Sequence, residues 1–423
     1  MNVNNKKFNE IFFTIIIFQT LILFNYGSWF LNYTLNLKWL RVFLVIFMLI
    51  IIAYLIVKNF SQNKLLYGML VFFIFLSLGS PSFYWDARSV WLFTSKQIFF
   101  DQGFLYIIQN YSPIHGANAY PVLGPTLSSS IAELFGYWNE VFPKFFSLIL
   151  SIPPLIYLGS LLRGYLTNIL FIFLVFFILD RYLIIGEMDG IVALYFTVSA
   201  VLSYQLFQNT KINNIKQKSA IFYLFCFLNF SILSILKKEA FFYLLIIFIS
   251  SYLANLIINK KKIINIRLCI LCLSSLIIFI LWELFTAKHN IDLKNYPGVS
   301  IIFEANFINL FLERLIEVKN ILIISKGIFF TKPFIISILI STFFITFVLS
   351  GTKKLKNSEK TFLLYGSLIV IFYLLFIFFI YTVTSYDLEW HLRTSATRVM
   401  LPISFLLAYL CLIFKQEKYN LIK

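Results

Sequence analysis

The sequence predicts an all-α polytopic membrane protein with about twelve transmembrane helices. Of its 423 residues, 60% are hydrophobic and only 13% are charged, and the mean hydropathy is +0.87. A soluble domain carries about a quarter charged residues, so this chain has too little polar surface for a water-soluble body of its size. Its 52 Phe and 24 Tyr suit helices that face lipid and rings at the membrane interface.

Continuous apolar runs, each bounded by charged residues, Pro or Gly, predict the spans. A bilayer core requires about 20 apolar residues per helix. Helices are expected because every backbone polar group in hydrocarbon must be satisfied within its own segment. The predicted spans are 11–31, 39–57, 63–80, 143–162, 167–185, 189–207, 219–236, 240–258, 266–285, 334–350, 361–384 and 398–414.

The formal net charge of +17 indicates the orientation of the chain. Basic residues cluster in short connections, such as 260–262 and 353–356, and the positive-inside rule places these clusters and the N-terminus in the cytoplasm. Anionic membrane lipid is then their expected partner, and nucleic acid is not. No small-residue cleavage site follows the first apolar run, which predicts an uncleaved first span.

This topology divides the chain into five segments. Transmembrane helices are predicted for 1–80, 143–285 and 334–423, and they are separated by outer segments at 81–142 and 286–333. Within the first outer segment, an apolar stretch from Val122 to Trp138 is short and is broken by Gly and Pro. We expect an interfacial or re-entrant helix there, since a full span would place the later lysine clusters outside.

The first outer segment opens with an unusual acidic residue. Asp86 lies between Trp85 and Trp91, with Arg88 on the next turn and Lys96 further along. A carboxylate in a partly desolvated cleft outside the hydrocarbon can act as a general base on a substrate hydroxyl or amide. The alternative is an Asp that caps an interfacial helix and pairs with a nearby arginine.

Two further outer groups carry titratable side chains. His115 can ligate a metal, contact a phosphate or shuttle a proton, or it is a solvated loop histidine. Glu187 and Asp189 lie two residues apart between two spans. They can hold a divalent cation together with an anionic ligand, or they are ordinary helix-capping acids.

Two basic groups are predicted outside, against the positive-inside rule. One group, Lys237, Lys238 and Glu239, lies between two long apolar runs. Its lysines predict an anionic partner such as a phosphate, and the alternative is a local Lys–Glu pair. The second group precedes the last span and gathers acids, His and Arg: Asp387, Glu389, Trp390, His391, Arg393 and Arg398. The clustering of such residues on one face predicts a functional site.

These groups, in this order, resemble the GT-C superfamily of membrane glycosyltransferases, whose relatives include protein O-mannosyltransferases and the bacterial aminoarabinose transferase of lipid A. The sequence departs from the family pattern at Ala240, where Gly is usual, and has no Asp-x-Asp motif. The matching motifs are Trp85-Asp86-Ala87-Arg88 with Lys96, Tyr120-Pro121 through Pro125, Asp189 at the start of a span, Leu236-Lys237-Lys238-Glu239-Ala240, and Trp390-His391 through Arg398.

The resemblance implies a sugar donor on a polyprenyl phosphate and a cell-envelope glycan, lipid or protein as acceptor. It implies Asp86 as catalytic base in an inverting displacement, at the periplasmic or outer face of a bacterial inner or plasma membrane. It names no certain cofactor, although Asp189 or His391 would orient the acceptor or a divalent cation. The substrate-binding residues expected from it and from the outer clusters are Arg88, Lys96, His115, Tyr120, Asp189, Lys237, Lys238, Glu239, Trp390, His391, Arg393 and Arg398.

Three other classes of protein remain as alternatives. A transporter or flippase of lipid-linked saccharides would carry charged groups buried mid-span in discontinuous helices, whereas Asp180, Arg181 and Glu283 lie toward the ends of predicted spans. A polymerase or ligase would use arginines of a late outer segment, where Arg314 is found. A non-catalytic assembly protein would not require clustered polar motifs.

Overall fold

The computed structural model describes residues 2–33, 35–81, 84–103, 120–162, 164–209, 219–259, 266–289, 307–349, 357–384 and 386–420. Within these stretches the chain is helical and contains no strand. The helices are α1 Asn2–Phe30, α2 Lys38–Asn59, α3 Lys64–Gly79, α4 Leu92–Asp101, α5 Leu123–Phe135, α6 Phe146–Leu161, α7 Tyr165–Leu174, α8 Asp189–Asn209, α9 Ser219–Ser234, α10 Lys238–Asn259, α11 Ile266–Lys288, α12 Phe307–Ile316, α13 Val318–Phe329, α14 Lys332–Leu349, α15 Asn357–Val383, α16 Leu388–Val399 and α17 Leu401–Asn420.

The predicted class, a polytopic helical membrane protein, is confirmed. Among the described residues, nine helical stretches are long and apolar enough to cross a membrane, and the bent pair α13–α14 raises this number to ten. Helix α3 and the stretch Ala220–Ser234 of α9 are apolar but shorter. The described residues of the predicted spans are mainly helical, although spans such as 167–185 and 398–414 cover more than one helical element. This agreement is expected because a continuous apolar run is a local property of the sequence.

The second outer segment contains helices, and the last apolar stretch begins earlier than predicted. Helices α12 and α13 lie within residues that were expected to form an outer loop, and α13 meets α14 at 70°. The final apolar stretch begins at Leu388 and not at residue 398. Charged residues of α16 lower its hydropathy, so the apolar run alone shows only the second half of this stretch.

Helix α8 lies at the centre of the bundle. It packs against α6, α9, α10 and α17, and 94% of its apolar window is buried, against 28% for the windows in α11 and α15. Asp189, the first residue of α8, therefore starts the most enclosed helix of the described fold.

A buried ion pair fixes the short helix α5 against α2. Arg41 donates two hydrogen bonds to Glu133, at 2.6 and 2.8 Å, and its guanidinium lies 3.8 Å from the centroid of the Trp29 ring. A third hydrogen bond joins Arg41 to Asn32 at 2.7 Å. Because the thirteen residues of α5 are too few to cross a bilayer, this network holds in place a helix that the lipid alone would not.

Irregular backbone is concentrated at one end of the bundle. The segment Ala87–Trp91 is a π-helix, and α7 continues through a second π-helix into a 3₁₀ turn at Asp180. Gly186 has φ +87°, and a Cβ atom there would lie 3.1 Å from Lys144 Cγ. The left-handed backbone and the close lysine stem both favour glycine at this turn before α8.

Candidate functional site

Asp86 forms an ion pair with Arg398, which joins the first outer segment to the last part of the chain. Both side chains are partly accessible, at 23% and 21% exposure. Asp86 makes no side-chain capping hydrogen bond to the π-helix that follows it. Its other expected partner, Arg88, is 3.6 Å from Glu140 instead. The capping alternative is therefore wrong, and the arginine that pairs with Asp86 is distant in sequence.

A second ion pair approaches the short segment that follows Asp86. Lys237 donates a hydrogen bond of 2.7 Å to Asp189 Oδ1, and its ammonium is 5.8 Å from the centroid of the Trp91 ring. Trp91 closes the π-helix that begins directly after Asp86. The two ion pairs thus share one short segment of backbone. We call the end of the bundle that carries them the polar end.

Glu187 is buried next to this second pair, with 3% of its surface exposed. Its Oε2 atom and Asp189 Oδ2 have no hydrogen-bond partner among the described residues. Burial, and then the Asp189 charge, raise the pKa of Glu187 to about 7, whereas Lys237 and Arg181 act in the opposite direction. The raised pKa favours the neutral form of Glu187, which reduces the negative charge that the single Lys237 ammonium has to balance.

Tyr120 and Glu239 complete the wall of the polar end. The Tyr120 hydroxyl donates to Glu239 Oε1 at 3.4 Å, and the Tyr120 ring lies 5.5 Å from the Trp91 ring. Residues from the first outer segment and from the start of α10 therefore meet here. Two of the motifs that were predicted to share a site, those containing Tyr120 and Glu239, are thus in contact.

Lys238 contacts a different acid from the one that Lys237 contacts. Its ammonium is 3.3 Å from Glu283 Oε1 near the end of α11. The alternative to an anionic partner was a local Lys–Glu pair, whereas the acids that the two lysines contact in the structure, Asp189 and Glu283, lie on other helices. Lys238 consequently joins α10 to α11, and Lys237 joins the start of α10 to α8.

Helix α16 presents its predicted residues on different sides. His391 Nδ1 is 2.9 Å from Thr384 Oγ1, and the His391 ring contacts Tyr381 and Tyr386 edge to face. Trp390 is 49% exposed, and Arg393 is exposed as well. Only Arg398 of this group is shown in contact with an acid of the site.

The other predicted residues divide into two groups. Arg88 and Lys96 have exposed side chains, and Lys96 lies on α4. His115 lies outside the described residues.

Two more basic residues belong to the polar end: Lys144, which was not identified from the sequence, and Arg181, which was considered there only for the transporter alternative. Lys144 is buried and donates a hydrogen bond to the Ser80 carbonyl, which anchors the chain just before Asp86. Arg181 stacks on the Tyr84 ring at 4.0 Å and bonds its hydroxyl. Lys144 follows Pro143 at the start of a long apolar run, and this position was the signal in the sequence. Buried lysines are rare unless they are paired, so a lysine there indicates a partner elsewhere in the fold.

The acids of the polar end do not assemble into a metal-binding group. In the part of the chain that the structure describes, no three His, Cys, Asp or Glu side chains are arranged to hold a metal ion. Glu187 and Asp189 were the candidate ligands. In the described geometry, the charge that Asp189 contacts is the Lys237 ammonium.

The polar end thus combines an accessible carboxylate with cations suited to an anion. Asp86 can accept a proton once its oxygens are available, and Arg398 and Lys237 can neutralise phosphate oxygens. Three comparisons, with protein-family models, with curated proteins and with solved structures, gave no match to this chain.

Proposed function

We propose that the protein is a membrane glycosyltransferase that moves a sugar from a polyprenyl-phosphate donor to a cell-envelope glycan, lipid or protein. The observation that carries the proposal is the ion pair between Asp86 and Arg398. These residues belong to the first and the last motifs of the GT-C resemblance. Their contact supports one shared site, together with the Asp189–Lys237 pair, in place of separate structural roles.

The proposed reaction is a single displacement at the anomeric carbon. A hydroxyl or amide of the acceptor attacks that carbon and forms the new glycosidic bond. The bond between the anomeric carbon and the donor phosphate breaks, its electron pair leaves with the phosphate oxygen, and the acceptor proton passes to Asp86. Attack opposite the leaving group inverts the anomeric configuration.

The cations of the polar end have a defined role in this reaction. The departing polyprenyl phosphate gains negative charge, and donors already held in position stabilise such charge strongly. Arg398 is accessible enough to contact a ligand, and Lys237, which is paired with Asp189, is the second cation of the polar end. Lys238, with Glu283 as partner, fits this role less well than the sequence suggested.

The position of the site suits a lipid-linked donor. The polar end lies where helices terminate, so a polyprenyl tail can remain in the bilayer while its phosphate reaches Arg398. The positive-inside pattern of the sequence supports an outer or periplasmic face of a bacterial plasma membrane for this end.

The proposal is tested in cells by deleting the gene and analysing the envelope glycans by mass spectrometry. We expect one sugar to be lost, to return with the wild-type gene, and to stay absent with Asp86→Asn. Glu140→Gln, which removes an acid of the neighbouring Arg88 pair, is the matched control and should restore the sugar. Full restoration by Asp86→Asn would contradict the assignment of the base.

A transporter of lipid-linked saccharides is the second candidate, because discontinuous helices are typical of transporters. The 70° bend between α13 and α14 and the irregular end of α7 favour it. Reconstitution into vesicles separates the two functions. A transporter moves the intact donor between leaflets, whereas the glycosyltransferase releases polyprenyl phosphate from it.

A further inference from the structure

We propose that Arg398 masks Asp86 in the empty protein and that the phosphate of the donor draws the guanidinium away, so that donor binding uncovers the base. This inference rests on the proposed function and adds an order to it. The donor binds first, and the acceptor is deprotonated only afterwards. The contact between Asp86 and Arg398 is then autoinhibitory.

The accessibility of the ion pair supports an exchange of partners. Asp86 and Arg398 are 23% and 21% exposed, whereas the side chains of the Arg41–Glu133 pair are both fully buried. Breaking a fully buried pair strands an uncompensated charge, whereas a ligand can reach the accessible part of the Asp86–Arg398 pair. A phosphate that replaces Asp86 on Arg398 supplies the guanidinium with a new counter-charge.

One guanidinium cannot serve the carboxylate and the phosphate equally well. The donor phosphate is a diester, because it is bonded both to the polyprenyl chain and to the sugar, and it carries one negative charge on its two non-bridging oxygens. These oxygens can accept the same pair of hydrogen bonds from a guanidinium as a carboxylate does, so the phosphate competes with Asp86 for Arg398. While Arg398 occupies Asp86, the bonded carboxylate oxygen is not available to an acceptor hydroxyl. Movement of Arg398 to the phosphate therefore frees an oxygen of Asp86 for the acceptor proton and places a positive charge beside the leaving phosphate.

The neighbouring cations are less suited than Arg398 to exchange a carboxylate partner for the donor phosphate. Lys237 holds the buried Asp189, and Lys238 is paired with Glu283. Arg393 lies five residues before Arg398 on α16, which separates their directions by about 140° around the helix axis. Arg88 is paired with the exposed Glu140, so Arg398 is the cation whose release from its partner frees Asp86.

Chain geometry also permits the movement. Arg398 lies in the last turn of α16, and Met400 separates this helix from α17. The long arginine side chain can swing its guanidinium by several ångströms while the backbone stays fixed. No rearrangement of the packed helices is required.

The test measures binding of polyprenyl phosphate, without sugar, to the full-length protein in nanodiscs. Wild type should bind it, and Asp86→Asn should bind it about fivefold more tightly, because the competing carboxylate is gone. Arg398→Gln should bind it at least about fivefold more weakly. Glu10→Gln removes a carboxylate from the exposed pair with Lys58, at the other end of the bundle, and should match wild type.

The outcomes separate this inference from the proposed function. Equal affinity of wild type and Asp86→Asn, with clear binding by both, would overturn the masking role and leave the transferase proposal standing. No binding by wild type would overturn both. Asp86→Ala is measured in parallel and also removes the carboxylate, so a folding defect in one variant still leaves a decisive comparison.

Discussion

The Lys237 ammonium lies 2.7 Å from Asp189 Oδ1 and thereby joins the starts of α8 and α10. Asp189 is almost fully enclosed, whereas Lys237 is half-buried. Since α8 is the central helix, this contact ties the candidate site to the core of the bundle.

Loss of Lys237 should destabilise the protein. Lys237→Met leaves the buried Asp189 carboxylate without its counter-ion, which costs about 3 kcal/mol, and Lys237→Met with Asp189→Asn should recover most of this loss. Thermal unfolding in detergent measures both. The control is Lys238→Met, whose partner Glu283 is more exposed, and we expect a loss of about 1 kcal/mol or less. Equal losses in the two lysine variants would contradict the special role of Lys237.

Stability should depend on pH through Glu187. Its pKa of about 7 lies above the ordinary value of 4.5, so the folded protein binds this proton more tightly than the unfolded chain. As the pH rises from about 4.5 to about 7, the free energy of unfolding should therefore fall by an amount on the order of 3 kcal/mol. Unfolding midpoints of wild type and Glu187→Gln across this range isolate the effect. A parallel pH dependence in both proteins would contradict it.

The Arg41–Glu133 pair should contribute strongly to the position of α5. Glu133→Gln leaves a buried guanidinium without its carboxylate, and we expect a loss of about 3–5 kcal/mol. The exposed pair between Lys58 and Glu10 provides the control, since Lys58→Met should cost less than about 1 kcal/mol. Similar unfolding temperatures for the two variants would show that α5 is held by other contacts.

The polar end should face outward. Single cysteines at the exposed positions of Arg88, Glu140 and Arg393, in a cysteine-free background, should all react with a membrane-impermeant thiol reagent added to intact cells. A cysteine at Lys58, at the other end of α2, should react only after the membrane is opened. Labelling of the first three positions from opposite sides would show that they do not share a face.

Sequence patterns predicted the helices far better than the contacts of the site. Apolar runs are local, so the predicted spans are mainly helical, and the scarcity of acids directed attention to Asp86 and Asp189. The partners of these acids depend on tertiary packing. Proximity in sequence suggested Arg88 for Asp86 and Glu239 for the lysines, whereas the folded chain supplies Arg398, Asp189 and Glu283.

Two other features had weaker signals. Helices α12 and α13 are short and amphipathic, and their charged residues concealed them within a segment that was expected to be a loop. The role of Lys144 depends on Ser80 and on the close approach at Gly186, and neither contact is encoded by a local pattern. Both features require the packed structure.

The central claim is that Asp86 is the base of a glycosyl transfer, and release of polyprenyl phosphate from a purified polyprenyl-phosphate sugar tests it most directly. Wild-type protein and Glu140→Gln should release polyprenyl phosphate at similar rates in the presence of envelope acceptors. Asp86→Asn should be slower by about 10²-fold or more while it remains folded. Release by Asp86→Asn at the wild-type rate, or no release by wild type, would contradict the claim.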